Sequence, residues 1–444
     1  MEKMAEKTMA DLVRLLDLRG RQVSADLVAR ELPRAIVDMD SAVAEVRPLV
    51  AQIRAEGVKA LVSIAQKFDG IEINPIKVPA DELSKALSSL EPNLKKSLET
   101  AIERVRKVTE QAKPQGFTSE LANGAQVQQR YRPIDSVGLY VPGGKAVYPS
   151  SVIMNVVPAQ IAGVKKLAIS TPGQKDFGGR AHPTVLATAA LLGVEDVYVI
   201  GGPAAVIAFA YGIPEIGLEP VNLVTGPGNL YVAAAKRLLR GVIAIDSEAG
   251  PTEVMVIADS SANPEFVAAD LISQAEHDEL AAAVLITDSA DFAEQVRAAI
   301  AEQVALTRNK SRVLAALSGQ QSAVVLVSDL NQAAQLADFY ATEHLELQTA
   351  SNDQLLEQIS NAGAIFVGDF SPVSLGDYLA GSNHVLPTGG QARFGSGLGV
   401  HTFLRPQQVI KYSESALSEV ANNVVAIADS EGLQAHGDAI RIRF

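Results

Sequence analysis

Short apolar runs alternate with helical segments along most of the chain after Tyr131. Three of the first four runs carry glycines at or near their carboxyl ends. The predicted strands are SVGLYVPGG, KKLAIST, DVYVIGG and VNLVTGPGN, and the predicted helices are Pro149–Gly163, Pro183–Leu192, Ala204–Tyr211 and Leu230–Leu239. Strands that alternate with helices of this length predict a parallel sheet with helices on its faces.

A second alternation of the same kind starts at Thr252. The predicted strands are TEVMVIAD, AAAVLITD, SAVVLVSD and AIFVGDF, and the predicted helices are Pro264–His277, Ala290–Leu306, Asn331–Tyr340, which runs into ATEHLELQT, and Asp353–Ser360. The two halves share an order of elements but no sequence repeat. The pattern therefore predicts an α/β fold with two Rossmann-like parallel-sheet units.

The flanking segments have different patterns. The region before Tyr131 is mostly helical, and the region after about Ser371 is rich in Gly, Ser and Pro until a predicted helix at Val409–Asp429 and an extended end. These changes predict a helical N-terminal region, two α/β units and a C-terminal tail. Their expected bounds are 1–130, 131–249, 250–385 and 386–444.

Composition and charge narrow the class of protein. The chain has 444 residues, of which 48% are hydrophobic and 20% charged, and its net charge is -13. This charge argues against nucleic acid and anionic membranes as partners. No apolar run reaches the ~18 residues of a membrane span, and the charged N-terminus lacks the apolar core of a secretory signal. We therefore expect a cytoplasmic protein.

The chain contains no cysteine. This absence excludes disulfides, thiolate metal ligands and a thiol nucleophile. A zinc site in this chain must use histidine, carboxylate and amide ligands. An aldehyde oxidation must proceed without a cysteine thiohemiacetal.

Glycines follow three strands of the first predicted sheet, in VPGG, VIGG and TGPGN. Ligands of parallel sheets bind beyond the carboxyl ends of the strands, and glycine lets a backbone approach a phosphate at a helix N-terminus. These runs are not the G-x-G-x-x-G fingerprint, and the nearest spelling, Gly395–Gly399, has no clear strand before it. The glycines indicate either a nucleotide site or ordinary turns.

Four polar pairs stand out in the second half. Gln274 and His277 are three residues apart on a predicted helix, which puts their Cβ atoms about 5–6 Å apart on one face. Two ligands cannot complete a metal site, so this pair alone is equally consistent with a polar helix end. The other pairs are Glu343 with His344, Asp377 with His384, and Glu431 with His436. Their positions at element ends and in loops favour a shared site.

The motifs AGPTEV, SQAEHD, ATEHLELQ and SLGDYLAGSNHVLP, together with TGPGN, resemble those of the histidinol dehydrogenase family. The resemblance covers the chain from about residue 35 to its end. It implies the oxidation of L-histidinol to L-histidine through histidinal, with two NAD and one zinc ion, in the last steps of histidine biosynthesis.

The resemblance also implies site residues. The implied zinc ligands are Gln274, His277, Asp377 and His436, a set that suits zinc without thiolates. The implied catalytic pair is Glu343 and His344. The residues implied to bind substrate are Thr252, Gln274, His277, His344, Asp377, His384, Glu431 and His436. The implied NAD contacts are Tyr140, Asn229 and the position of Ala204.

The implied chemistry assigns a role to each member of the catalytic pair. Loss of hydride from the carbinol requires a base for the hydroxyl proton, and His344 titrates in a suitable range. The aldehyde must be hydrated before a second hydride leaves. Because there is no cysteine, water is the expected nucleophile, and Glu343 suits its activation.

Two positions depart from the family pattern. Ala204, in IGGPAA, occupies a place where many members have a glutamine that contacts the cofactor, and Thr252 occupies a place where many have serine. These departures leave open the alternative that the chain is a member of the family that oxidises another small alcohol. A zinc hydrolase that uses Glu343 to activate water and a non-catalytic binding protein are further alternatives.

The tail predicts a homodimer with shared sites. It carries Glu431 and His436 and is joined to the body by a long Gly-rich segment, which can reach either its own body or a neighbouring chain. The resemblance implies the same exchange. It also leads us to expect that residues 1–130 pack with the second α/β unit.

Overall fold

Two parallel β-sheets covered by helices form most of the computed structural model, which describes residues 12–143 and 146–444. A small antiparallel sheet and a pair of C-terminal helices complete it. The predicted α/β class with two parallel-sheet units is confirmed. Among the described residues, no helix is long and apolar enough to cross a membrane.

The described chain begins with one strand, five helices and a hairpin. These are β1 (Arg14–Asp17), α1 (Ala25–Glu31), α2 (Met39–Glu56), α3 (Val58–Phe68), α4 (Ala80–Ser88), α5 (Pro92–Gln111), β2 (Phe117–Ala122) and β3 (Ala125–Pro133). Polar side chains cap several of these helices. Ser24 accepts a hydrogen bond from the amide of Leu27 at the start of α1, and Glu91 caps α5 through the amides of Asn93 and Leu94.

The first parallel sheet has five strands. They are β4 (Ser136–Tyr140), β5 (Lys166–Thr171), β6 (Asp196–Val199), β7 (Leu223–Thr225) and β8 (Ala244–Ile245), and the helices between them are α6 (Pro149–Ala162), α7 (Pro183–Leu191), α8 (Gly202–Tyr211) and α9 (Leu230–Leu239). The spatial order is β6-β5-β4-β7-β8. The winding therefore reverses between β4 and β7, the position at which open α/β sheets ordinarily bind ligands beyond the carboxyl ends of their strands.

The second parallel sheet has six strands, one of which is β1. The others are β9 (Glu253–Ala258), β10 (Ala282–Thr287), β11 (Ala323–Leu326), β12 (His344–Gln348) and β13 (Ala364–Val367), and the helices are α10 (Pro264–Ala275), α11 (Ala290–Val304), α12 (Lys310–Leu317), α13 (Leu330–Tyr340), α14 (Asn352–Leu356) and α15 (Val373–Tyr378). The spatial order is β1-β11-β10-β9-β12-β13. Here the winding reverses between β9 and β12.

Strand β12 was not separated from the preceding helix in the sequence analysis. Helix α13 ends at Tyr340, and Ala341 then adopts a φ of 53°, which stops the helix. All five residues of β12 are buried because the strand lies inside a parallel sheet. Glu346 and Gln348 interrupt its apolar run, and this interruption hid the strand.

The helical N-terminal region differs from our expectation. Among the elements described from residue 12 onward, β1 and α1 pack with the second sheet, whereas α2 to α5 share one hydrophobic core with the first sheet. The apolar stripe of α2 packs on α8 and α9, and that of α5 packs on α6. The predicted boundary at residue 130 also falls inside β3, which belongs to the antiparallel sheet.

The C-terminal tail also differs from prediction. Residues 404–412 form β14 (Leu404–Tyr412), which pairs with β3 along its whole length. Helix α16 (Glu414–Ser430) starts only after Ser413, whose hydroxyl accepts a hydrogen bond from the amide of Ala416. The end of the chain, which was predicted to be extended, is a helix, α17 (Gln434–Arg441). Gly432, with a φ of 72°, turns the chain so that α17 packs back onto α16.

Candidate active site

Two buried side chains, Glu343 and His344, lie at the amino end of β12 beside the amino end of β9. The parallel register pairs His344 with Val254, so Thr252 and Glu253 lie next to them. Ligands of open α/β sheets ordinarily bind beyond the carboxyl ends of the strands. This cluster lies at the opposite edge of the second sheet.

The carboxyl group of Glu343 is held through one oxygen. Its Oε2 accepts hydrogen bonds from the Thr252 hydroxyl at 2.5 Å and from the Glu253 amide at 3.0 Å. Burial raises the pKa of Glu343 to about 8, and these hydrogen bonds offset the effect of burial only in part. Glu343 therefore exchanges its proton just above neutral pH, which suits a group that must both take and give a proton.

His344 has a defined tautomer. Its Nδ1 lies 3.0 Å from the carbonyl oxygen of Glu253, and because a carbonyl only accepts, Nδ1 carries the proton. Burial lowers the pKa of His344, so the ring is neutral at neutral pH and Nε2 has a free lone pair. The distance of 3.6 Å between His344 Nδ1 and Glu343 Oε2 is too long for a hydrogen bond. The peptide groups of Glu253 connect the two side chains instead.

The predicted metal pair lies at the end of α10, which is two residues shorter than predicted. Gln274 is fully buried near the last turn, and His277 follows the helix in a turn closed by its amide to the carbonyl of Gln274. The amide nitrogen of Gln274 donates to the hydroxyl of Thr252 at 2.5 Å. Its Oε1 is buried and has no hydrogen-bond partner in the described chain. This oxygen is therefore a candidate ligand for a cation.

Asp377, on α15, brings a carboxylate to His277. The distance between His277 Nε2 and Asp377 Oδ2 is 3.8 Å, too long for a hydrogen bond but short enough for two ligands that are each about 2.0–2.2 Å from one zinc ion. In the described part of the chain no three His, Asp or Glu side chains form a metal group. A zinc ion bound by His277 and Asp377 would need a third donor, for which the unpartnered amide oxygen of Gln274 is the candidate, and these three residues would leave one ligand position over.

His384 joins the two α/β units. Its Nδ1 donates to the carbonyl oxygen of Asp377 at 2.9 Å, so its Nε2 accepts from the hydroxyl of Ser151 at 3.2 Å. Ser151 lies on α6 of the first unit and is buried. Ser151 was not predicted as a site residue, because nothing in its local sequence indicates a contact with a residue 233 positions away.

Two predicted site residues lie elsewhere. Glu431 and His436 are exposed on the turn after α16 and on α17. Within the described chain, neither is hydrogen-bonded or ion-paired to any of the other candidate residues. One chain therefore brings together seven of the predicted residues without these two. The seven are Thr252, Gln274, His277, Glu343, His344, Asp377 and His384.

The predicted NAD contacts lie at the carboxyl edge of the first sheet. The hydroxyl of buried Tyr140, at the end of β4, accepts from the amide of Gly202 at 3.0 Å, and burial raises its pKa to about 12. Asn229 begins α9 and caps it through the amides of Tyr231 and Val232. Ala204 is buried in α8 and offers no polar group.

The TGPGN loop beside Asn229 is held by a buried ion pair that the sequence analysis did not identify. Lys236 donates to Asp246 at 2.5 Å and to the carbonyl of Gly226 at 2.6 Å, and the amide of Gly226 donates to Asp246 at 2.8 Å. Gly226 has a φ of 112°, and a Cβ there would lie 2.0 Å from the carbonyl oxygen of Tyr140. The loop therefore requires glycine to pass this close to β4.

Comparison with known proteins identifies the family. A family model described as histidinol dehydrogenase matches residues 32–444. The chain belongs to the histidinol dehydrogenase family. The histidinol dehydrogenase of Leifsonia xyli subsp. xyli is 54% identical over 429 residues, which cover 97% of this chain and 98% of that protein. That of Corynebacterium glutamicum is 53% identical over 433 residues and 98% of both chains.

A solved structure agrees with this assignment to the histidinol dehydrogenase family. The crystal structure of histidinol dehydrogenase from Elizabethkingia anophelis superposes with a TM-score of 0.90 at 32% identity, over 97% of this chain and 98% of that chain. The resemblance identified from the sequence motifs is confirmed. As a member of this family, the chain is an oxidoreductase.

A pair of buried carboxyls lies behind the candidate site. Glu346, on β12, accepts from the amide of Val373 and from the side-chain amide of Gln348, both at 2.9 Å, and Gln348 also donates to Asp270 at 3.0 Å. Burial raises the pKa of Glu346 well above its ordinary value of 4.5, and the neighbouring Asp270 raises it further. These contacts tie together α10, β12 and α15, the three elements that carry the candidate site.

This raised pKa predicts a pH-dependent stability. Folded Glu346 holds its proton, whereas the unfolded chain releases it above about pH 4.5. The free energy of unfolding of the wild type should therefore fall as the pH rises from about 4.5 toward the higher pKa of the folded protein. Glu346→Gln removes the titration, so its free energy of unfolding should depend less steeply on pH. Urea unfolding from pH 5 upward measures both slopes. Glu357→Gln, at an exposed position, is the control, and equal slopes for wild type and Glu346→Gln would contradict the assignment.

Proposed function

We propose that this chain oxidises L-histidinol to L-histidine through L-histidinal, with two molecules of NAD and one of water consumed. The balanced reaction releases two NADH and three protons. Family membership supports the substrate. The observation that carries the proposal is the buried Glu343–His344 pair, which lies beside the unpartnered Oε1 of Gln274. The expected cytoplasmic location remains a prediction.

Gln274, His277 and Asp377 are the residues of this chain that would hold zinc, with the partner chain supplying a fourth ligand. Zinc, when bound, supplies a Lewis acid that can position the amine and imidazole nitrogens of the substrate. The buried, unpartnered Oε1 of Gln274 supports this assignment. Thr252 orients that amide, because its hydroxyl accepts from Nε2 and so directs Oε1 away from the strand.

His344 is the proposed base in both oxidations. Its Nδ1 proton is engaged by the carbonyl of Glu253, so the free Nε2 is the atom that accepts the hydroxyl proton from histidinol and later from the aldehyde hydrate. Its lowered pKa keeps this nitrogen unprotonated at neutral pH. The fixed tautomer spares the reaction any reorganisation of the ring.

Glu343 is the proposed activator of water. Its Oε2 is occupied by Thr252 and Glu253, which leaves Oε1 to take a proton from a water molecule that adds to the aldehyde. A pKa of about 8 makes the ionised carboxylate a stronger base than an ordinary glutamate. The same raised pKa allows Glu343 to hold that proton afterwards.

NAD is proposed to bind at the carboxyl edge of the first sheet and, when bound, accepts the hydride. Tyr140 and Asn229 flank the reversal point between β4 and β7, where dinucleotides bind in such sheets. Ala204 contributes no side-chain hydrogen bond at this edge. The backbone of the TGPGN loop, fixed by Lys236, supports binding at this edge instead.

We further propose a homodimer in which each tail completes the partner's site with Glu431 and His436. In one chain α16 and α17 pack mainly on each other. They leave large apolar side chains exposed to solvent. These are Val424, Ile427, Leu433, Ile442 and Phe444. Such a surface is typical of a protein interface, and an exchanged element is a common way to build a symmetric dimer.

The proposed reaction can be tested directly. NADH formation, followed by its absorbance, should require both L-histidinol and NAD, and a strong chelator should abolish it until zinc is restored. The fold should survive the chelator, because a chain of this size has core enough without a metal. Activity with a different small alcohol alone would identify another substrate, and hydrolysis without NADH would identify a hydrolase. Full activity of a metal-free protein would contradict the zinc assignment.

Separating the two half-reactions tests the catalytic pair. Glu343→Gln should slow oxidation of histidinal more than the first hydride transfer, because only the second step needs activated water. Stopped-flow measurement should show a burst of NADH followed by a slow phase. Wild-type aldehyde oxidation should rise with pH through about 8 as Glu343 ionises, and the variant should lose this rise.

His344→Ala is the matched comparison for this experiment. It should slow both steps by roughly 10²–10⁴-fold, because both require the base, while zinc stays bound. Equal losses in the two steps for Glu343→Gln would remove Glu343 from the hydration step. Unchanged turnover of His344→Ala would remove His344 from its role as base.

Complementation tests the shared sites. His436→Ala and His277→Ala should each be inactive. After the two proteins are dissociated, mixed equally and reassociated, half the dimers are mixed, and with shared sites one of their two sites carries neither lesion. Activity should recover to about a quarter of wild type. Each variant reassociated with itself is the control. No recovery in proven mixed dimers would mean that each tail serves its own chain.

A further inference from the structure

One residue connects both members of the catalytic pair through its main chain. The amide of Glu253 donates to Glu343 Oε2 at 3.0 Å, and its carbonyl accepts from His344 Nδ1 at 3.0 Å. These two contacts set where the free atoms of both side chains point. A shift of the backbone at Glu253 therefore displaces both groups together.

The side chain of Glu253 is itself anchored. It is 3% exposed, and Arg34 donates a hydrogen bond to each of its oxygens, from Nε to Oε1 at 2.6 Å and from Nη2 to Oε2 at 3.4 Å. The amide of Gly389, in the Gly-rich segment, also bonds to this carboxylate. An isolated buried carboxylate is costly, whereas a two-pronged arginine contact stabilises the charge and fixes its direction.

Arg34 also reaches the segment that precedes the catalytic pair. It donates to the carbonyl of Tyr340 and lies over the Tyr340 ring at 4.0 Å. Tyr340 is the last residue of α13 and stands three positions before Glu343. One guanidinium thus contacts the start of β9 through Glu253 and the approach to β12 through Tyr340. It lies in the linker between α1 on the second sheet and α2 on the first.

We propose that Arg34 and Glu253 are positioning residues, which fix the peptide groups that aim Glu343 and His344 at the substrate. Neither touches the reacting atoms. This inference rests on the proposed function, because that function gives the catalytic pair its role. The charge of Glu253 also acts on Glu343 and raises its pKa, although burial is the larger cause.

A set of charge-matched variants separates positioning from stability. Arg34→Met leaves a buried carboxylate without its cation, so it should lower both the melting temperature and kcat. The double variant Arg34→Met with Glu253→Gln removes both charges and should recover most of the melting temperature. It should still show kcat about tenfold to a hundredfold below wild type, because the two-pronged anchor is gone. The KM for L-histidinol should stay within about twofold, since the metal-binding atoms are untouched.

Arg34→Lys provides an intermediate case. Lysine keeps the positive charge but has no planar fork, so stability should be largely kept while kcat falls. The control is the double variant Arg21→Met with Glu31→Gln, which removes an ion pair at the surface, where such pairs contribute little. Its kcat and KM should equal those of the wild type.

The outcomes are distinct. Wild-type protein without activity on L-histidinol would mean that the proposed function has failed. Active wild type with an Arg34→Met/Glu253→Gln variant that recovers kcat together with its melting temperature would overturn the positioning role alone. Unchanged kcat in every Arg34 variant would overturn it as well. A stable double variant with low kcat and unchanged KM would support it.

Discussion

The parallel pairing of β9 with β12 is the contact on which the candidate site depends. It brings Thr252 and Glu253 from one strand next to Glu343 and His344 from the other. The side chains of Glu343 and His344 are not hydrogen-bonded to each other, since their nearest polar atoms are 3.6 Å apart. The main chain of β9 forms hydrogen bonds with both of them through Glu253, so the geometry of the site depends on the position of this strand in the sheet. Backbone in a central strand is held on both sides, so it is a rigid support for such groups.

Burial of carboxyl groups is the second feature of the site. Glu253 begins β9, Glu343 directly precedes β12 and Glu346 lies within β12, and burial raises the pKa of each. Each is accommodated differently. Glu253 has Arg34 as a counter-ion, Glu346 shares its surroundings with Asp270, and Glu343 has only neutral donors. Within the described chain neither Glu343 nor Glu346 has a cation beside it, and of these two Glu343 is the one whose proton the proposed reaction needs to move.

The two sheets use opposite edges. The glycine-bearing ends of β4 and β7 lie at the carboxyl edge of the first sheet, whereas the polar cluster lies at the amino edge of the second. The contact between Ser151 and His384 joins the units at this point. In the proposed reaction a hydride passes from a substrate on the second unit to NAD on the first, so this junction is the place where the two proposed sites would meet.

The sequence by itself determined the class of fold and the family, and it named the seven candidate site residues that the structure brings together. The strand and helix periods are local, so the apolar runs predicted eight of the eleven strands of the two sheets and missed β1, β8 and β12. The motifs around Gln274, Glu343 and Asp377 identified the histidinol dehydrogenase family. Only the tertiary structure decided that α2 to α5 cover the first sheet and that Ser151 meets His384. It also decided that Arg34 reaches Glu253 across 219 positions. These contacts depend on which apolar faces and polar groups fit together in space, and such long-range matches leave no periodic pattern along the chain.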